Sequence, residues 1–237
     1  MSTYLQICAD LRREASISGT GPAAVTNQTG QYLDVINWVK QAWMDIQGRH
    51  TNWRWLRSTF SINTVADDDT YAGTDCTDTI AAAVITRFSH WWPRDEDGGP
   101  NVKAYLSASG VAVEGWLTFL PWSTFRGVYR IGTQTSGPPV HYTIDPQNNL
   151  VLGPKPNAVY VVSGEYQKSG QVLAANADLP EMPAQFHDLI WCEALRSYAY
   201  KQAAPESLTR AIARGNKLMR QLETNQLPEW GTGGPLA

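Results

Sequence analysis

The feature that most constrains this chain is a change of hydrophobic period, helical near both ends and alternating in the middle. Tyr4, Leu5, Cys8, Leu11 and Ala15 place one apolar stripe on a short N-terminal helix, which Gly19, Gly21 and Pro22 terminate. After the polar loop 26–30, Tyr32, Val35, Ile36, Val39, Ala42, Trp43 and Ile46 keep helical spacing up to Gly48, a natural C-terminal stop. The period returns past Leu179-Pro180-Glu181-Met182-Pro183, with Phe186, Leu189, Ile190, Ala194, Leu195 and Tyr198 on one face. Pro205 stands where a last helix begins, a position that costs no hydrogen bond. Leu208, Ala211, Ile212, Gly215, Leu218, Met219 and Leu222 form the stripe of that helix. Each such helix needs an apolar surface to pack against.

Between the helical ends, Phe60, Ile62 and Thr64 alternate with polar neighbours, as strand residues with one buried face do. Further strands are expected over 79–92 (with a break), 103–106, 115–130 interrupted at Pro121, 140–144, 150–152 and 158–166. Turn formers separate them: Asp67-Asp68-Asp69, Asp97-Gly98-Gly99-Pro100, Ser136-Gly137-Pro138-Pro139, Asp145-Pro146 and Gly153-Pro154. Short strands at this spacing predict a sandwich or small barrel rather than βαβ units. Chain ends of compact folds usually meet. The expected class is therefore α+β: a helical bundle from the N- and C-terminal helices with an inserted antiparallel β-rich region. The expected segments are 1–51 for the N-terminal helices, 52–178 for the β region, 179–223 for the C-terminal helices and 224–237 for an extended tail.

Composition narrows the function classes. Of 237 residues 43% are hydrophobic, enough to bury a core, and 19 basic against 22 acidic side chains leave a net charge of -3. No overall basic field exists to hold nucleic acid tightly by its phosphates. Charged residues make up only 17% where about 25% is usual, and there are 10 tryptophans, a balance that points to surface covered by a partner. Cys8, Cys76 and Cys192 lack disulfide or CxxC spacing, so reduced thiols are expected. The N-terminal stretch lacks a signal pattern and no run of about 18 apolar residues follows, so neither export nor a membrane is expected.

Chemical motifs are sparse. His50, His90, His141 and His187 form no HxH, HExxH or HxxxH spacing, and the glycine-rich segments match no nucleophile elbow or phosphate loop. Asp67, Asp68, Asp69, Asp75 and Asp78 lack the EF-hand pattern and read as a solvated loop. Trp91, Trp92, Trp116 and Trp122, beside Asp95, Glu96 and Asp97, suit stacking on sugar rings, but strand alternation assigns the indoles to a β core. No standard motif supplies a catalytic residue, cofactor or metal site, and the sequence leaves open paired carboxylates for sugar hydrolysis, which need only lie about 5–9 Å apart in space. Two features remain. Trp53 and Trp55 leave the second helix with Arg54 and Arg57 on the other side, as either a partner interface or a core plug. Arg210, Arg214, Lys217 and Arg220 form a basic stripe on the last helix, as either a solvated face or an electrostatic contact.

Several segments together resemble the head-to-tail adaptor (connector) proteins of tailed bacteriophages. They are the helix from Tyr32 to Trp43 running through Asp45-Ile46-Gln47 to Trp53-Arg54-Trp55-Leu56, the segment from Asn149 to Pro156, Tyr160 through Tyr166, and Leu179 to Pro183 leading into Phe186 to Trp191. The resemblance implies a non-enzymatic structural protein of the virion neck, made in the host cytoplasm, with no catalytic residue, cofactor or metal site. It also implies a homo-oligomeric ring, typically a dodecamer, beneath the portal protein, with a tail or neck protein on its other side and DNA passing through without sequence-specific binding. Closed rings bury two faces of each subunit, which suits the surplus of aromatic residues. With this resemblance, the tail is expected to anchor to the portal through Leu227, Trp230 and Leu236. Trp53 and Trp55 are then candidates for a subunit or partner interface, and the Arg210 stripe for a lumen or portal contact. The competing assignments are a tail terminator or head-completion stopper and a carbohydrate-binding tail component.

Overall fold

The computed structural model describes residues 1–227, which divide into two compact units: 1–55 together with the chain from 170 onward, and 56–169. The first is helical. It contains α1 (Tyr4–Glu14), α2 (Gly30–Gly48), α4 (Asp188–Gln202) and α5 (Pro205–Gln226). Thr3 starts α1 with a reciprocal cap, in which the Gln6 N–H donates to Thr3 Oγ1 and the Thr3 N–H donates to Gln6 Oε1. The apolar faces read from periodicity meet around α4, which packs against α1, α2 and α5. Ile7, Leu11, Val39, Trp43, Ile46, Leu189, Ile190 and Leu195 are buried there. Gly215 lets α5 run close to α4, since a Cβ there would lie 3.0 Å from an Arg196 guanidinium nitrogen and 3.6 Å from Cys192 Cβ.

The 170–178 segment lies in this helical unit, as do residues 52–55, although both fall within the expected 52–178 β region. Its hydrogen bonds explain the difference. Asn176 O and Asp178 O accept from the first turn of α1, at Leu5 and Tyr4. Buried Gln47 of α2 donates to Gln171 O at 3.0 Å and accepts from the Gln171 N–H at 2.6 Å. Orphaned N–H groups at a helix start need such acceptors. At the other end, α5 runs to Gln226, so 224–226 are helical rather than extended.

The second unit holds eleven short strands: β1 (Arg57–Asn63), β2 (Thr70–Tyr71), β3 (Thr77–Asp78), β4 (Ala83–Val84), β5 (His90–Trp91), β6 (Val102–Leu106), β7 (Gly115–Trp116), β8 (Thr118–Phe119), β9 (His141–Ile144), β10 (Leu150–Gly153) and β11 (Tyr160–Gln167). One sheet has the order β4-β3-β1-β11-β6-β7, with β5 also on β11, and the other β2-β10-β9-β8. Pairing is antiparallel except between β8 and β9. Both sheets contribute to one core, in which Phe60, Ile62, Val162 and Tyr166 meet Tyr71, Tyr142, Leu150 and Leu152. That is the expected sandwich-like arrangement of an α+β chain. Phe60 sits opposite Gly164 across β1 and β11. A Cβ at Gly164 would lie 3.0 Å from the Phe60 ring and 2.8 Å from Asn101 O.

Two expectations for this unit fail. Residues Trp122–Tyr129, read as the continuation of a strand, form a helix, α3. Pro121 precedes it without needing to donate a hydrogen bond, and Phe125 and Tyr129 pack over Gly153. Trp116, assigned to the core, is 61% exposed, because β7 is a two-residue edge strand.

Buried polar groups hold each unit together. In the β unit the Asp78 carboxylate accepts from Ser58 Oγ at 2.9 Å, Tyr166 OH at 2.6 Å, and the N–H groups of Ile80 and Ala81 at 2.8 and 2.9 Å. Burial alone would push this carboxyl up, but the hydrogen bonds outweigh it and hold Asp78 below the usual carboxylate range. In the helical unit, His187 accepts from the Ser2 N–H at Nδ1 and approaches Met182 O through Nε2 at 3.2 Å. That pair of partners fits the neutral ring with its proton on Nε2. Burial is the main cause that holds the His187 pKa below its ordinary value.

Candidate functional site

Trp53 and Trp55 lie at one end of the helical unit, where α2 ends. Trp53 is completely buried, and its indole N–H donates to Gln47 O at 3.1 Å, at the end of α2. It stacks on Trp55 with ring centroids 4.3 Å apart and meets the His50 ring edge-on at 4.9 Å. Trp55 is half-buried, and its buried Nε1 has no hydrogen-bond acceptor among the described residues. His50 Nε2 in turn lies 3.1 Å from the Glu223 carboxylate on α5. The stack thus ties the end of α2 to the last turns of α5. Trp53 acts here as a core plug, and Trp55 keeps the exposed edge.

The basic stripe divides into two halves. The Arg210 guanidinium donates to Glu14 O at 2.7 Å. Arg214 pairs with Asp188 and lies 4.7 Å from the centre of the Trp191 ring. These two guanidiniums are committed to the helical unit itself, one to the end of α1 and one to the start of α4. Lys217 and Arg220 are exposed and have no ion pair among the described residues. Arg220 lines a groove of about 610 Å³ with Gln185, Phe186, Gln221, Thr224 and Asn225. Leu227, half-buried, follows α5 in extended conformation. Trp230 and Leu236 lie outside the described residues.

Arg57, which sequence reasoning set beside the Trp53 and Trp55 pair, belongs to the β unit. Its guanidinium lies 3.9 Å from the Trp92 ring centre and 3.1 Å from the Glu96 carboxylate. The four indoles considered for sugar stacking do not share one surface. Trp91 is buried, Trp92 lies under Arg57, Trp122 stacks on Phe125, and only Trp116 stands exposed. Around Trp116 is a cleft of about 600 Å³ lined by Val113, Pro138, Pro139 and Val140. Sequence reasoning missed this cleft, because it reads 115–130 as a strand interrupted at Pro121, whereas β7 ends at Trp116.

The three cysteines are buried and free, and burial pushes their thiols up to about 12. At neutral pH they are protonated, so they are poor nucleophiles. Among the described residues no group of three or more His, Cys, Asp or Glu side chains is arranged to hold a metal ion. No helix among them is long and apolar enough to cross a membrane.

No curated protein matches the chain. The family model described as SU10 adaptor protein matches residues 2–235, nearly the whole length. A match of that extent covers both units and the candidate residues of the helical end alike. The chain belongs to the SU10 adaptor protein family, structural proteins of the bacteriophage neck that join head to tail.

Proposed function

We propose that copies of this chain form a closed ring, a dodecamer, that docks under the portal protein and passes the DNA channel on to a tail or neck protein. The observation that carries this reading is the adaptor-family match over 2–235. In support, the aromatic stack of the helical unit meets the last turns of α5 through His50 and Glu223, near where Arg220 stands exposed without an ion pair among the described residues. A ring built from heterologous contacts uses two different faces of each subunit, and the edge of Trp55 is proposed for one of them. Lys217 and Arg220 supply a lumen or portal electrostatic contact, while Arg210 and Arg214 hold α5 in position for it.

Leu227, Trp230 and Leu236 anchor the ring to the portal. An extended segment gains affinity from a few large side chains entering pockets. DNA passes through without sequence-specific binding. The chain as a whole has a charge of -3, and a strongly basic lumen would retain phosphates through counterion release.

The test follows from where α5 ends. Deleting 228–237 leaves every residue of α5 in place and should abolish assembly onto portal-bearing heads while the subunit stays folded. Assembly at the wild-type level would contradict the anchor.

A further inference from the structure

We propose that neighbouring copies of this chain join edge to edge through the larger sheet of the β unit, with β7 of one copy pairing antiparallel with β4 of the next. This inference rests on the ring reading and names the surfaces that close the ring. Both edges belong to the 56–169 unit, which is described throughout. β4 and β7 are the two ends of the path β4-β3-β1-β11-β6-β7, and every pairing along that path is antiparallel. Six strands in strict alternation leave the two edge strands running in opposite directions. A second copy set beside the first in the same orientation therefore brings an edge strand against one of opposite direction, and the alternation continues across the joint. Two unlike surfaces of each subunit meet, which is the contact a closed ring requires.

The register carries the argument further. Directly opposed residues of an antiparallel pair share one face of the sheet. An unbroken row of such partners runs from edge to edge: Val84, Thr77, Ser61, Ser163, Lys103 and Trp116. The row lies on the face away from the core, since Phe60 and Val162, which alternate with Ser61 and Ser163, are buried in that core. Its two ends, Val84 and Trp116, are apolar and each 61% exposed. The backbone agrees with the side chains. The Ile85 N–H donates to Cys76 O, and the Leu117 N–H donates to Val102 O. Bonded and non-bonded pairs alternate along an antiparallel ladder, so Val84 and Trp116 each stand in a non-bonded pair with the inner strand and turn their N–H and C=O groups to the open edge. Set opposite each other, they exchange two hydrogen bonds and extend the row by an aromatic and β-branched pair, a favoured cross-strand combination.

The surroundings suit a second copy. Open edges of solitary sheets usually carry charge or proline, but residues 79–86 contain neither. The cleft beside Trp116, about 600 Å³, is lined by uncharged residues alone. With Val84 opposite Trp116, the antiparallel direction places the neighbour's 79–82 turn, and its 75% exposed Ile80, on the Thr118 and Val140 side of that cleft.

The experiment uses the full chain carrying Val84→Cys and Trp116→Cys, loaded onto portal-bearing heads and oxidised. A bonded antiparallel pair sets its Cα atoms about 5.5 Å apart, within reach of a disulfide. The three native cysteines are buried and stay out of the reaction. The expected result is a ladder of linked multimers on a non-reducing gel, with no link in either single variant. A single variant that links into dimers would overturn the proposal, because an edge would then be meeting itself. Val84→Pro removes only an outward N–H, so the subunit should stay folded while its loading onto heads falls about tenfold. Loading of Val84→Pro at the wild-type level would overturn the proposal, as would a ring of the double variant on heads that gives no ladder. The two readings fail separately. A ladder formed in solution by chain that does not load onto heads keeps the paired edges and discards the portal ring, and a loaded ring without a ladder does the reverse.

Discussion

The two units of this chain solve the problem of stability differently. The helical unit uses four long elements, each with one apolar stripe, and closes them with a few side-chain to backbone bonds such as Gln47 to Gln171 and Ser2 to His187. The β unit uses strands of two to eight residues, most of them too short to stand without a common core, and ties β1, β3 and β11 together through the buried Asp78 carboxylate. Charge divides as unevenly. The helical unit carries 11 basic and 11 acidic side chains and the β unit 8 and 11, so the net -3 lies wholly in the β unit. Exposed apolar side chains on the β unit include Ile80, Val84, Val111, Trp116 and Ile131. The difference teaches that the low charge and high tryptophan content noted in the sequence belong to separate places. Tryptophans 43, 53 and 91 build cores, and the exposed apolar surface is carried largely by aliphatic residues and Trp116.

The strongest way to break this comparison is to damage one core and watch the other. Trp43→Ala removes a fully buried indole and should cost about 4 kcal/mol. Hydrogen exchange should then accelerate across α1, α2 and α4, with β1 and β11 amides protected as in wild type. Equal acceleration in both units would mean that they unfold as one. Asp78→Ala should instead loosen the β unit, at a cost of about 3 kcal/mol, since it leaves Ser58, Tyr166 and two backbone N–H groups without their acceptor.

Acid should separate the units more gently. The pKa of His187 is depressed in the folded state, mainly by burial. Below the unfolded value of about 6.5 the unfolded chain binds the proton more readily, so the contribution of this ring is present above that pH and is lost as pH falls toward the folded value. Asp78 is also depressed, so its contribution is present above about 3.9 and is lost as pH falls through its lower folded value. Replacing His187 by Gln, which can keep one donor and one acceptor, should flatten the pH dependence of α1 and α4 protection between about pH 7 and 5, the range around the ordinary histidine pKa. An unchanged slope in that variant would remove His187 as the cause. The smallest effect is expected at the surface. Lys217→Glu should change stability by no more than about 0.5 kcal/mol and should act, if the stripe meets a partner, on head assembly and DNA retention alone.

What could be read from the sequence follows the same division. Helix α2 was legible because Tyr32 to Ile46 hold one period and Gly48 ends it, and β11 because Tyr160, Val162 and Tyr166 alternate inward. Helix α3 was hidden because eight residues rich in aromatic and β-branched side chains carry strand propensity; the fit of Phe125 and Tyr129 over Gly153 overrides it. The membership of 170–178 in the helical unit was illegible for another reason. Its determinants are hydrogen bonds to residues more than a hundred positions away, and no local pattern announces them. The end of the helical unit where α2 meets the last turns of α5 was legible in its parts, Trp53, Trp55 and Arg220. It was not legible as a place, because the His50 to Glu223 contact joins elements from opposite ends of the chain.

The proposed ring would join portal to tail with the end of α5 toward the portal. The most direct test is the position of its density in the intact particle. The account predicts a ring in immediate contact with the portal, with the C-terminal end of α5 facing it and residues beyond Leu227 continuing into portal pockets. Density confined to the tail side, separated from the portal by another ring, would contradict it and assign the chain to a terminator or stopper position.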